Sequence, residues 1–170
     1  MKPRSDQRCA GALITLLVVL VGGFVISSHG IDPLAAAAAA APPADESRRR
    51  FDQAVVMLHA RQYEHAATAL QRVLTLSPQL PEAHVNMGFA LLGLKRVKEA
   101  RDFFDSATTL RPDQANAYYG LAMAYEASGD LPMATGAMRS YLHLARNERP
   151  EHLSRARAAL WEWEQASTRK

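Results

Sequence analysis

The chain has 170 residues and a mass of 18.7 kDa, with 48% hydrophobic and 22% charged residues, a composition that excludes both a disordered polar chain and a multi-span membrane protein. Its single cysteine, Cys9, excludes an intramolecular disulfide and a cysteine-built zinc site. The net charge of +3 recurs in the part that follows residue 45, which holds 17 basic and 14 acidic side chains. So small an excess makes no nucleic-acid footprint.

Residues 1–9 carry Lys2, Arg4 and Arg8, and from Cys9 to Ile31 no Asp, Glu, Lys or Arg occurs. As a helix these 23 residues would span roughly 35 Å, enough for a hydrocarbon core of about 30 Å. A transmembrane signal anchor is therefore expected over 10–30. Basic residues precede it and none occurs between Ile31 and Ser47, so the N-terminus is expected in the cytoplasm and the remainder on the other side of the membrane. Cleavage as a secretory signal is the alternative, since Ser28-His29-Gly30 and the later alanines offer small residues. Cys9 lies before the apolar run, which rules out a lipoprotein signal. Residues 31–46, an alanine and proline tract, read as a semi-rigid linker.

After the linker the sequence repeats in three units of equal length, 47–80, 81–114 and 115–148. Ala54, Gly88 and Ala122 align, as do Ala66, Ala100 and Ala134. Larger apolar residues align at Met57, Leu91 and Tyr125, and at Leu70, Phe104 and Met138. Each unit holds two stretches with helical spacing, separated at Arg61-Gln62, Lys95-Arg96 and Ser128-Gly129-Asp130, so each is expected to be a helical hairpin. Pro78 and Pro112 fall just past the second helix of their units. Over 149–168, Leu153, Ala156, Leu160 and Trp163 recur at helical spacing. They predict a closing helix that covers the end of the stack, with Trp161 and Trp163 as packing residues. Seven helices are expected after the membrane segment.

The pattern resembles the tetratricopeptide repeat. In the second unit Gly88, Leu91, Ala100, Phe104, Ala107 and Pro112 stand at the signature positions, and in the third Tyr118, Leu121, Ala122, Tyr125, Gly129, Ala134 and Met138 do. Departures are Arg50 at an aromatic position, Val73 at a small one and Arg146 in place of proline. The resemblance implies an all-α solenoid of three hairpins plus a capping helix, behind one N-terminal transmembrane helix. It also implies a concave face lined by the first helix of each unit. Carried over residue by residue, that face holds Phe51, Val55, Leu58 and His59, then Val85, Asn86, Phe89 and Leu92, then Asn116, Tyr119, Met123 and Glu126. Where members that hold a chaperone's C-terminal carboxylate use lysine, arginine and asparagine, this chain has Phe51, Val55, Asn86, Asn116 and Gly120. Only Asn86 fits, which argues against that ligand.

No metal, cofactor or catalytic constellation is expected. The six histidines include no HExxH pair, and His59 and His65 are separated by a hairpin turn. No glycine-rich phosphate loop and no G-x-S-x-G occurs, so the expectation is a non-enzyme. The expected partner is a protein, offering an amphipathic helix or an extended apolar segment to an apolar groove. The anchor, spacer and groove together resemble inner-membrane-anchored repeat proteins of bacterial envelope assembly, including those of cytochrome c maturation. They imply a periplasmic adaptor. A structural subunit of a larger membrane complex, contacting its neighbours through the transmembrane helix, is the alternative.

Overall fold

The computed structural model describes residues 43–168. The predicted span 10–30 and the predicted linker as far as residue 42 lie outside the described residues. Among those described, no helix is long and apolar enough to cross a membrane. Seven helices follow one another: α1 (Pro43–His59), α2 (Tyr63–Leu76), α3 (Pro81–Gly93), α4 (Val97–Leu110), α5 (Ala115–Ala127), α6 (Leu131–Leu144) and α7 (Pro150–Thr168). The first six pair as α1/α2, α3/α4 and α5/α6. Each helix packs on its chain neighbours, and α1 also meets α3, as α3 meets α5.

One boundary differs from the sequence expectation. Helix α1 begins at Pro43, so the last four residues of the predicted linker are helical. Proline suits a first helical turn, because its missing N–H would have no partner there. Asp45 and Glu46 in that turn oppose the positive end of the helix dipole, and Glu46 accepts from Arg50 Nε at 2.9 Å and Nη2 at 2.6 Å.

The registered positions form the core. Leu70, Phe104 and Met138, one from each unit, are fully buried, as are Ala54, Ala66, Ala100, Ala122 and Ala134. The small residues let the helices approach, and the large ones fill the space between layers. Phe104 shows how close this packing is: its ring lies against Gly88 in its own hairpin and against Gly120 in the next. A Cβ placed at Gly88 would come within 2.6 Å of the ring, and one at Gly120 would also collide with it. The phenyl group thus locks the second hairpin to the third.

The hairpin turns repeat as well. Arg61, Lys95 and Gly129, which occupy the same place in successive units, take positive φ of 57°, 63° and 77°. In each turn the next residue's N–H bonds back five residues, Gln62 to Met57, Arg96 to Leu91 and Asp130 to Tyr125, all at 2.9 Å. This is the left-handed closure of a Schellman motif.

The closing helix is observed as expected in part. Ala156 and Trp163 are buried and Leu153 and Leu160 half-buried, while Trp161 is 62% exposed and is no packing residue. Two residues that are two apart in a helix lie about 200° apart around it, so only one tryptophan can face the stack. Trp163 Nε1 donates to Glu126 Oε1 at 3.2 Å, and Arg139 pairs with Glu164 at 2.7 Å.

Candidate functional site

The expected groove residues do not all share one surface. Val85 is 3% exposed and belongs to the core. The cause is its place on α3, which is packed by α1, α2, α4 and α5 and keeps only a narrow free strip. Phe51, Leu58, Phe89 and Leu92 are half-buried against the first core cluster, and Tyr119 and Met123 against the second. Val55 and Asn86 are half-buried, and His59, Asn116 and Glu126 are exposed. Phe51 borders a cavity of about 590 Å³ near the start of the stack, with Arg48, Leu80, Glu82 and Arg111 around it. Glu82 and Arg111 pair there, joining α3 to the end of α4.

Three of the expected residues do come together. Phe89, Asn116 and Tyr119 line a cavity of about 310 Å³, a size suited to one side chain or a small group. A run of rings forms its apolar wall. Phe104 meets Phe89 edge-on at 5.1 Å, Phe89 lies 6.4 Å from Tyr119, and Tyr119 lies 5.2 Å from Tyr141. Such contacts at these separations hold aromatic side chains in fixed positions.

The sequence reading missed the other wall, which is Tyr141, Glu148, His152 and Arg155. These residues come from the second helix of a unit, a connector and the closing helix, none of which supplies groove positions in the family. One signal was present: Tyr141 aligns with Ala107 of the second unit, so an aromatic ring occupies a position that is small in the best-formed repeat. Tyr141 is 3% exposed, and its hydroxyl pKa lies above the ordinary phenol value, chiefly from burial, with the Glu148 carboxylate adding to it. Glu148 is held below the ordinary carboxylate range. It accepts the backbone N–H of Arg149 at 3.0 Å and meets His152 Nδ1 at 2.8 Å. Arg149 Nη2 lies 3.1 Å from His152 Nε2, so the histidine bridges an arginine and a carboxylate.

Among the described residues no group of three or more His, Cys, Asp or Glu side chains is placed to hold a metal ion. His84 contacts the Pro78 carbonyl oxygen at 2.8 Å, and His59, His65 and His143 are exposed. His29 lies outside the described residues.

Comparison with known proteins bears on the fold. The family model described as tetratricopeptide repeat matches residues 57–110, from the end of α1 through α4. Solved structures of the same architecture include the tetratricopeptide domain of Sgt2 from Aspergillus fumigatus (18% identity, 74% of this chain and 83% of that one, TM-score 0.67). Another is the first tetratricopeptide domain of Spaghetti (RPAP3) bound to the HSP90 peptide SRMEEVD (19% identity, 73% and 94%, TM-score 0.66). A third is the type III secretion chaperone SycD of Yersinia enterocolitica in complex with a peptide of the translocator YopD (14% identity, 72% and 95%, TM-score 0.67). No curated protein matches the chain. Residues 57–110 thus carry the tetratricopeptide repeat, and the described helices as a whole have the fold of a tetratricopeptide solenoid.

Proposed function

We propose that this protein is a non-enzymatic adaptor that captures a segment of a partner protein on the first helices of its hairpins. The observation that carries this reading is the open cavity whose apolar wall is the ring series Phe89, Tyr119 and Tyr141. A concave site with one apolar wall facing polar side chains favours an extended segment with an apolar side chain to insert on that wall. Two proteins of the same fold hold peptides, which supports the use of this architecture for such capture. The uncharged run Cys9–Ile31, with basic residues only before it, supports a membrane anchor that places the repeats outside the cytoplasm of a bacterial cell. Assembly of an envelope or cytochrome system is the setting this arrangement suits.

The test is affinity capture of the tagged full-length chain from detergent-solubilised host membranes, with wild type compared against a Leu92→Glu, Asn116→Trp double variant. Asn116 is exposed, while Leu92, like Phe89 and Tyr119, is half-buried on the core, so matching melting curves for wild type and variant are required, and Asn116→Trp alone keeps the test open should the double variant melt early. Partners present with wild type and lost from the variant are expected. The same partners in both would remove the groove from the function and favour contact through the anchor.

A further inference from the structure

Helix α7 lies in the repeat register but does not close on α5 as α5 closes on α3. One repeat further on, Ala156 follows Ala54, Gly88 and Ala122 and is buried like them. Arg155 follows Leu121, and His152 follows Tyr118. An arginine at the position of a buried leucine cannot be sealed between two helices without a partner for its charge. The backbone of α7 accordingly packs on α6 and stays away from α5, bridged to it at the far end by Trp163 and Glu126. The gap left at the near end is the 310 Å³ cavity.

Its polar groups are unequally satisfied. Glu148 is engaged by the Arg149 N–H and by His152, and His152 is engaged on both ring nitrogens. Arg155 donates through Nε only to the Glu151 carbonyl oxygen at 3.3 Å, and among the described residues it has no carboxylate partner. Tyr141 is nine-tenths buried or more and lines the cavity; its hydroxyl keeps solvent contact there and makes no hydrogen bond to a described residue. Asn116 adds an exposed amide at the rim. A phenol hydroxyl open to the cavity, on the same lining as a guanidinium without a carboxylate partner, is a donor pair suited to an acceptor that carries negative charge.

We propose that this cavity reads an acidic side chain of the bound segment, its carboxylate placed between Arg155 and the Tyr141 hydroxyl, with a neighbouring apolar side chain of the same segment against Phe89 and Tyr119. This rests on the groove reading above and adds the partner's chemistry to it: an extended peptide in which Asp or Glu adjoins an aliphatic or aromatic residue. Other surfaces carry less. In the cavity beside Phe51 the Arg111 guanidinium is already taken by Glu82 and the lining also carries the carboxylates of Asp45 and Asp52, while nothing shows what covers exposed Trp161.

The experiment pans a phage-displayed random dodecapeptide library on the full-length chain in detergent, as wild type, Arg155→Glu, and the Leu92→Glu, Asn116→Trp double variant. Wild type is expected to enrich peptides with an acid beside an apolar residue, and Arg155→Glu to lose that enrichment and turn toward Lys and Arg. For a selected peptide, changing its acid to the amide should weaken binding to wild type by about tenfold, the scale of one charge-assisted hydrogen bond, and leave binding to Arg155→Ala unchanged. Identical peptides from wild type and Arg155→Glu, or basic peptides from wild type, would overturn the acid pocket while the groove stands. No enrichment by wild type, or enrichment indifferent to the double variant, would overturn the groove and the pocket together. Arg155 is exposed, and matching melting curves for wild type and Arg155→Glu confirm that the comparison is one of binding.

Discussion

At the scale of single residues, the contact most sensitive to change is the seat of Phe104 between Gly88 and Gly120. Adding one methyl at Gly120 drives a Cβ into an aromatic ring that is itself fully buried and cannot swing away. Gly120→Ala is expected to destabilise the fold by about 1–3 kcal/mol, the range for overpacking a filled core, as read by urea unfolding. Gly136, with nothing near its Cβ, is the control and should gain from the same change because alanine favours helix. Glu148 gives a pH signature. Its folded pKa is depressed by the Arg149 N–H and by His152, so it contributes stability that is present above the unfolded value of about 4.3 and lost as pH falls through the folded value. The melting temperature of Glu148→Gln should therefore lie below that of wild type at pH 6 and approach it as the buffer is taken toward pH 3.

At the scale of helices and turns, the repeat period made most of the fold legible. Both small-residue positions and the large position of Leu70, Phe104 and Met138 are buried as their alignment implies, and the three turns fall where the intervening residues put them. Contacts between unlike positions were hidden, because a period compares equals. Phe104 touches Gly120 of the next unit, and a register comparison places those two nowhere near each other. The candidate site was half legible for the same reason: Phe89, Asn116 and Tyr119 are groove positions, whereas Tyr141, His152 and Arg155 reach the cavity only because α7 departs from regular stacking. The turns carry a prediction of their own. Arg61 and Lys95 hold the left-handed conformation that Gly129 holds at no steric cost. Steric relief of about 1–2 kcal/mol is offset in part by the greater freedom of glycine in the unfolded chain, so Lys95→Gly should stabilise by about 0.5 kcal/mol, visible as a higher urea midpoint. At the third turn Asp130 accepts the Met133 N–H at 3.2 Å, and Asp130→Ala should cost about 1 kcal/mol.

At the scale of the whole molecule, a stack in which each helix meets only its neighbours is least secure at its ends, because the end element is held on one side only. Here the final helix has less support than its predecessors, since α3 and α5 each have a first-helix neighbour as well as a second-helix one, and α7 has α6 alone apart from the Trp163 bridge. Both tryptophans of the chain, Trp161 and Trp163, lie on this helix. Tryptophan fluorescence therefore reports the closing helix alone, while far-ultraviolet circular dichroism reports all the helices. In urea the fluorescence midpoint is expected below the dichroism midpoint, and Trp163→Phe, which keeps a ring but loses the donor to Glu126, should widen the gap when Trp161 is the probe. Coincident transitions would mean that α7 melts only with the rest, and the cavity would then be a rigid feature of the stack. A separate, earlier transition would mean that the wall carrying His152 and Arg155 opens and closes on a stack that stays folded. A bound segment that touches both sides would then raise the fluorescence midpoint more than the dichroism midpoint, because it stabilises the closed helix in proportion to its occupancy.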